Sequence, residues 1–109
     1  MDIFAISQLR AQQERVGHRY LEFLRVPSMS LGLYVLPAGA VDTQQPHAED
    51  EVYYVVSGKG RIQVGDEDQA VEPGAILFVK VNAPHRFHTV TEELNLLVFF
   101  APAEGSSTA

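Results

Sequence analysis

The chain reads as an all-β domain, an antiparallel sandwich or closed barrel, on three observations. Short segments rich in Val, Ile, Leu, Tyr and Phe recur from Tyr20 to Ala101. Turn residues punctuate them at Pro27-Ser28, Pro37-Ala38-Gly39, Ser57-Gly58-Lys59-Gly60, Gly65-Asp66-Glu67-Asp68, Glu72-Pro73-Gly74 and Asn82-Ala83-Pro84. Only one stretch, Leu9 to Arg15, is built of helix formers, so a helical bundle is excluded.

Taken in order, Ser7 stands before that stretch as a side chain able to cap it, and Gly17 closes it, which predicts one short helix or an irregular arm over the first residues. Strands follow at Tyr20–Val26 and Met29–Leu36, then at Glu51–Val56, Gly60–Val64, Gln69–Val71, Ala75–Val79, Arg86–Val90 and Leu94–Ala101. Val52-Tyr53-Tyr54-Val55-Val56 and Leu96-Leu97-Val98-Phe99-Phe100 are apolar at both parities. Both faces of those strands must therefore be covered, one by the core and the other by the first arm or a second subunit. The expected organisation is one domain: an arm over 1–28, a barrel core over 30–101, and a loose tail over 102–109, where Gly105-Ser106-Ser107-Thr108 has little to bury.

A length of 109 residues with a hydrophobic fraction of 46% suits one packed core. The net charge of −6, from 14 acidic and 8 scattered basic residues, opposes a phosphate backbone, so a nucleic-acid partner is not expected. There is no cysteine and hence neither a disulfide nor a thiolate metal site. No basic leader with a long apolar stretch opens the sequence and no apolar run reaches membrane-spanning length, so the expectation is a cytoplasmic protein with no membrane partner.

The chemistry concentrates in His47, Glu51 and His85. Two imidazoles and a carboxylate suit a borderline divalent cation, and they fall on β-patterned segments. Residues of equal parity share a strand face, so Gln45 and His47 are expected to point together, as are Glu51, Tyr53 and Val55. A turn at Ala48-Glu49-Asp50 would fold one set onto the other. The residues alone also allow a plainer pocket in which His47 and Glu51 are merely hydrogen-bonded. Gly58, Gly65 and Gly74 are expected to have positive φ. Asp42 reads as a turn residue, Glu49 as a weak ligand candidate, His18 and His88 as surface or satisfied histidines, and Asp66-Glu67-Asp68 as a hairpin tip.

The string Gly39, five residues, Gln45-Pro46-His47, three residues, Glu51, six residues, Gly58 resembles the first motif of the cupin superfamily, with Gln45 in place of its first histidine. Gly74, five residues, Lys80-Val81-Asn82, two residues, His85, three residues, Thr89 resembles the second motif in its glycine and histidine, while Lys80, Asn82 and Thr89 depart from it. Asn82 can adopt the left-handed turn that the family's glycine supplies. The resemblance implies a double-stranded β-helix, a jelly-roll-like barrel with the site in its mouth. It places His47, Glu51 and His85 on ligand positions and Gln45 on a fourth, for a divalent ion such as Fe, Zn, Mn or Ni. Tyr53 and Phe87, which share parity with Glu51 and His85, become candidate substrate contacts.

Two functions follow from the resemblance. One is a metal-dependent enzyme, dioxygenase- or isomerase-like, acting on a small polar metabolite; the other is a non-catalytic cupin that binds a sugar or other metabolite. A homodimer is expected under either, as it is if the chain is a structural subunit.

Overall fold

Helix α1 (Ile6–Val16) of the computed structural model, which describes residues 1–106, ends as the sequence leads one to expect: Gly17 at φ 81° turns the chain, and its N–H bonds to Gln13 O. Its start differs. Ala5 is the N-cap and no side chain caps the helix, so Ser7 lies inside the first turn. Leu9 packs beneath the helix onto Leu33 and Val35, with Leu21, Phe23 and Leu97 around them. The first arm thus covers the outer face of two strands, β1 (Tyr20–Val26) and β2 (Met29–Leu36), which form an antiparallel hairpin across Pro27-Ser28.

The remaining strands are β3 (Asp50–Val64), β4 (Glu67–Val71), β5 (Ile76–Val79) and β6 (His85–Ala101). The segments expected separately at Glu51–Val56 and Gly60–Val64 are one strand, and so are those at Arg86–Val90 and Leu94–Ala101. The signal at Ser57-Gly58-Lys59-Gly60 marks a bend within β3, where the β3–β6 register shifts between Val55 and Arg61. Gly58 sits there at φ 98°, and a Cβ on it would collide with the Glu93 carbonyl across the ladder.

β3 and β6 form one long antiparallel ribbon, from Asp50 opposite Ala101 to Val64 opposite His85. β2 extends it beside the second half of β6, and β5 and β4 flank the first and second halves of β3. Folded over at the bend, the ribbon supplies both layers of the barrel. Between them lies the core, which includes Leu36, Val55, Ile62, Leu94, Leu96 and Val98, all buried.

Two expectations are corrected. No strand lies between Leu36 and Asp50: residues 40–49 form an irregular loop, so the shared-face argument for Gln45 and His47 does not apply. The segment 102–106 is docked, not loose. Ala103 is 1% exposed, Glu104 N–H bonds to Ser30 Oγ at 2.9 Å, and Arg25 donates to Glu104 O at 2.8 Å. The rest of the expected loose tail, 107–109, lies outside the described residues.

Candidate metal centre

The fold in the ribbon is what assembles the site. Glu51 pairs with Phe100 near one end of the β3–β6 ladder, while His85 pairs with Val64 at the other. Because the ribbon doubles back, His85 Nε2 nevertheless lies 2.9 Å from Glu51 Oε1, and both side chains are 1% exposed. His47 arrives from the irregular loop, held by its carbonyl, which accepts Asn82 N–H at 2.8 Å just before His85. Asn82 takes φ 61°, the left-handed turn expected of it.

His47, Glu51 and His85 each offer one ligand atom, and the three atoms lie within 4.8 Å of one another. Gln45 is exposed and lines an outer groove with Gln44, Pro46 and His85, while Gln44 also borders the inner cavity. An inner cavity of about 130 Å³ adjoins the cluster, bounded by Tyr20, Tyr34, Gln44, Tyr53, Phe100 and Glu104, among others.

The donor set fits a divalent cation on three counts. His85 Nδ1 donates to Ala83 O at 2.9 Å, so Nε2 is the ring nitrogen that faces the cluster. Glu51 Oε2 is buried with no hydrogen-bond partner among the described residues. A buried carboxylate oxygen without a donor is costly, and a cation is the partner that would satisfy it. The surroundings are also acidic: burial first, and then Glu22, Glu51 and Glu49, push the Glu104 carboxyl above its ordinary range despite the opposing His47. Burial alone would pull His85 down, but the Glu51 hydrogen bond, the Ala83 carbonyl and the charges of Glu51 and Asp42 outweigh it and leave the imidazole raised.

A hydrogen-bonded chain runs behind the ligands. Tyr53 OH lies 3.1 Å from His85 Nε2 and 3.0 Å from Gln44 Oε1, and Gln44 Nε2 donates to Asp42 Oδ2 at 2.8 Å. Burial, reinforced by Glu51, holds the Tyr53 phenol well above its usual value, so it stays a neutral donor. Phe87 packs edge-on against Tyr53 at 5.0 Å and lines a separate groove beside Gly39 and Val90, so it backs the site from behind.

Four residues escaped sequence reasoning. Asp42, read as a turn residue, is a buried hub that accepts from Tyr34 OH at 2.7 Å and Phe87 N–H at 2.8 Å. Tyr20 offers a buried hydroxyl with no partner among the described residues, its ring lying over Gly32 where a Cβ would strike it. Burial raises that phenol, keeping it protonated. Gln44 and Glu104 complete the list. None carried a motif signal. Glu49, by contrast, is buried and accepts Gly105 N–H at 3.1 Å, tying down the docked segment. Half-buried His88 and exposed Asp68 form a pair at 2.9 Å away from the site.

The sequence profile of the cupin domain matches residues 32–101. An uncharacterized protein of Streptomyces coelicolor is 45% identical over 104 residues, covering 95% of this chain and 99% of its own. Among solved structures, TT1209 of Thermus thermophilus superimposes with a TM-score of 0.73 at 28% identity, over 94% of this chain and 99% of that one. The DMSP lyase DddQ of Ruegeria pomeroyi has the same fold, with a TM-score of 0.70 at 20% identity over 84% of this chain and 50% of that one. No helix among the described residues is long and apolar enough to cross a membrane.

Proposed function

The chain belongs to the cupin family, whose neighbours are double-stranded β-helix proteins, and on that premise we propose that it is a metal-dependent enzyme acting on a small polar metabolite. His47, Glu51 and His85 hold the cation. The observation that carries this reading is the Glu51 carboxylate, 1% exposed, with one oxygen on His85 and the other without a partner among the described residues.

A divalent cation bound there supplies Lewis acidity toward a carbonyl or hydroxyl, or an open position for dioxygen if it is iron. The chain's own residues do the rest. Tyr20 lines the cavity, with a neutral hydroxyl that has no partner among the described residues. Tyr53, held by Gln44 and packed edge-on against the His85 ring at 6.0 Å, backs the imidazole. Phe100, 4.8 Å from the His47 ring, and Val98 give the cavity apolar walls that exclude water.

The protein acts as a homodimer in this reading. α1 covers the β1–β2 side only, whereas Ile76, 72% exposed, and Phe78, 64% exposed, stand beside Tyr54 on the outer face of β5 and β3.

Metal analysis of protein purified without an affinity tag tests the reading. Wild type should hold close to one equivalent of iron, zinc, manganese or nickel, and His47→Ala should lose it. Less than about a tenth of an equivalent after supplementation with all four would refute it. Turnover of a small oxyacid, thiol or sugar panel supports an enzyme. A compound that raises the melting temperature and is recovered unchanged supports the alternative, a metal-containing binding protein.

A further inference from the structure

The segment that follows β6 comes back across the barrel mouth and brings a carboxylate to His47. Its backbone does the anchoring. Ala103 is buried, Glu104 N–H bonds to Ser30 Oγ at 2.9 Å, Gly105 N–H bonds to Glu49 Oε1 at 3.1 Å, and Arg25 grips Glu104 O at 2.8 Å. These contacts leave the Glu104 side chain free of any structural duty. It turns into the inner cavity, where its Oε2 lies 3.3 Å from His47 Nδ1.

His47 is the ligand least well held by its own element. Glu51 and His85 are placed by strands, and His85 is oriented by the Ala83 carbonyl on its Nδ1. His47 sits on an irregular loop, with Phe100 packed against its ring and Gln45, two residues earlier, pointing out to the groove. A carboxylate on Nδ1 does for His47 what the Ala83 carbonyl does for His85: it fixes the tautomer and aims Nε2 at the cation, while making the imidazole a stronger donor.

We propose that Glu104 is a positioning residue of the metal centre, the carboxylate that orients His47. The inference rests on the metal-binding reading above and deepens it.

Co²⁺ titration by calorimetry and absorption, with melting curves of the metal-free proteins, tests it on wild type, Glu104→Gln, Glu104→Ala and, as a charge control, Glu92→Gln at the bend. Both Glu104 variants should bind Co²⁺ about 10- to 100-fold more weakly than wild type, Ala more so than Gln because the amide oxygen still accepts from Nδ1–H. The metal-free melting temperatures should stay at the wild-type value, and Glu92→Gln should bind as wild type does. Wild-type affinity in both Glu104 variants overturns the inference while leaving the metal site intact. So does a loss of affinity that comes only with a lowered metal-free melting temperature in both. A wild type that takes up no Co²⁺ overturns the metal reading itself, and this inference with it.

Discussion

Glu51 and His85 stand 2.9 Å apart in space yet belong to opposite ends of the β3–β6 ladder. Their meeting depends on the ribbon folding over near Gly58, so the site is a direct reporter of the bend.

Substitution at that bend should therefore cost both stability and metal. Gly58→Ala forces an L side chain to φ 98° against the Glu93 carbonyl. A penalty of about 3 kcal/mol, at the upper end for backbone strain, is expected in urea unfolding. Metal affinity should fall with it.

Thr89 carries strain that the fold does not need. It has φ 50°, a conformation that a β-branched residue adopts at a cost of about 1–2 kcal/mol, and it occupies the position where the second motif of the family has asparagine. Thr89→Asn should raise the unfolding free energy by about 1 kcal/mol, allowing for the Thr89 Oγ1–His88 Nδ1 contact at 2.9 Å that it alters. Equilibrium unfolding would show this directly; a neutral or destabilising result would mean that the hydroxyl outweighs the strain.

Asp42 tests the support behind the ligands. Asp42→Ala leaves the Phe87 N–H and the Tyr34 hydroxyl without their acceptor and frees Gln44, which otherwise pins Tyr53. A loss of about 3 kcal/mol is expected, since each buried donor left unpaired costs about 1–3 kcal/mol. A change below about 0.5 kcal/mol, the range of ordinary surface substitutions, would remove Asp42 from this role.

The pH dependence should reverse on metal binding. In the metal-free protein the His85 imidazole is raised above its ordinary 6.5 by Glu51 and Ala83 against the pull of burial. Its folded state thus holds the proton more tightly than its unfolded state. The resulting stability is fully present below the unfolded value and is lost as the pH rises through the raised folded one. The chelator-treated protein should therefore melt higher at pH 6 than at pH 8. With metal, the ligand must be unprotonated, so the metal-dependent part of the stability should instead vanish as the pH falls through the same range. Melting curves from pH 5 to 9, with and without metal, give both slopes, and His85→Gln should flatten them.

The parts of this architecture that were legible in the sequence are those set by short-range chemistry. Strand periodicity, turn residues, Gly17 at the helix end and the positive φ at Gly58, Gly65, Gly74 and Asn82 all follow from local rules. The spacing from Gly39 to Gly58 singled out His47 and Glu51 because a bend and two ligands recur at fixed intervals in the family. What stayed hidden depended on partners far along the chain. Asp42 reads as a turn residue until Phe87 N–H, 45 positions later, is seen to need it. Glu104 sits in a stretch that looks loose because its anchors are backbone groups, which a sequence does not advertise. Gln44, not Gln45, borders the inner cavity because the loop is not a strand and strand parity has no hold on it.

The account turns on one cation shared by three side chains, and a crystal grown with Zn²⁺ and measured at the zinc absorption edge addresses that directly. The expected result is a single anomalous peak about 2.0–2.2 Å from a nitrogen of His47, a nitrogen of His85 and an oxygen of Glu51. A saturated crystal with no peak inside the barrel, or with zinc bound only at surface carboxylates, would contradict it.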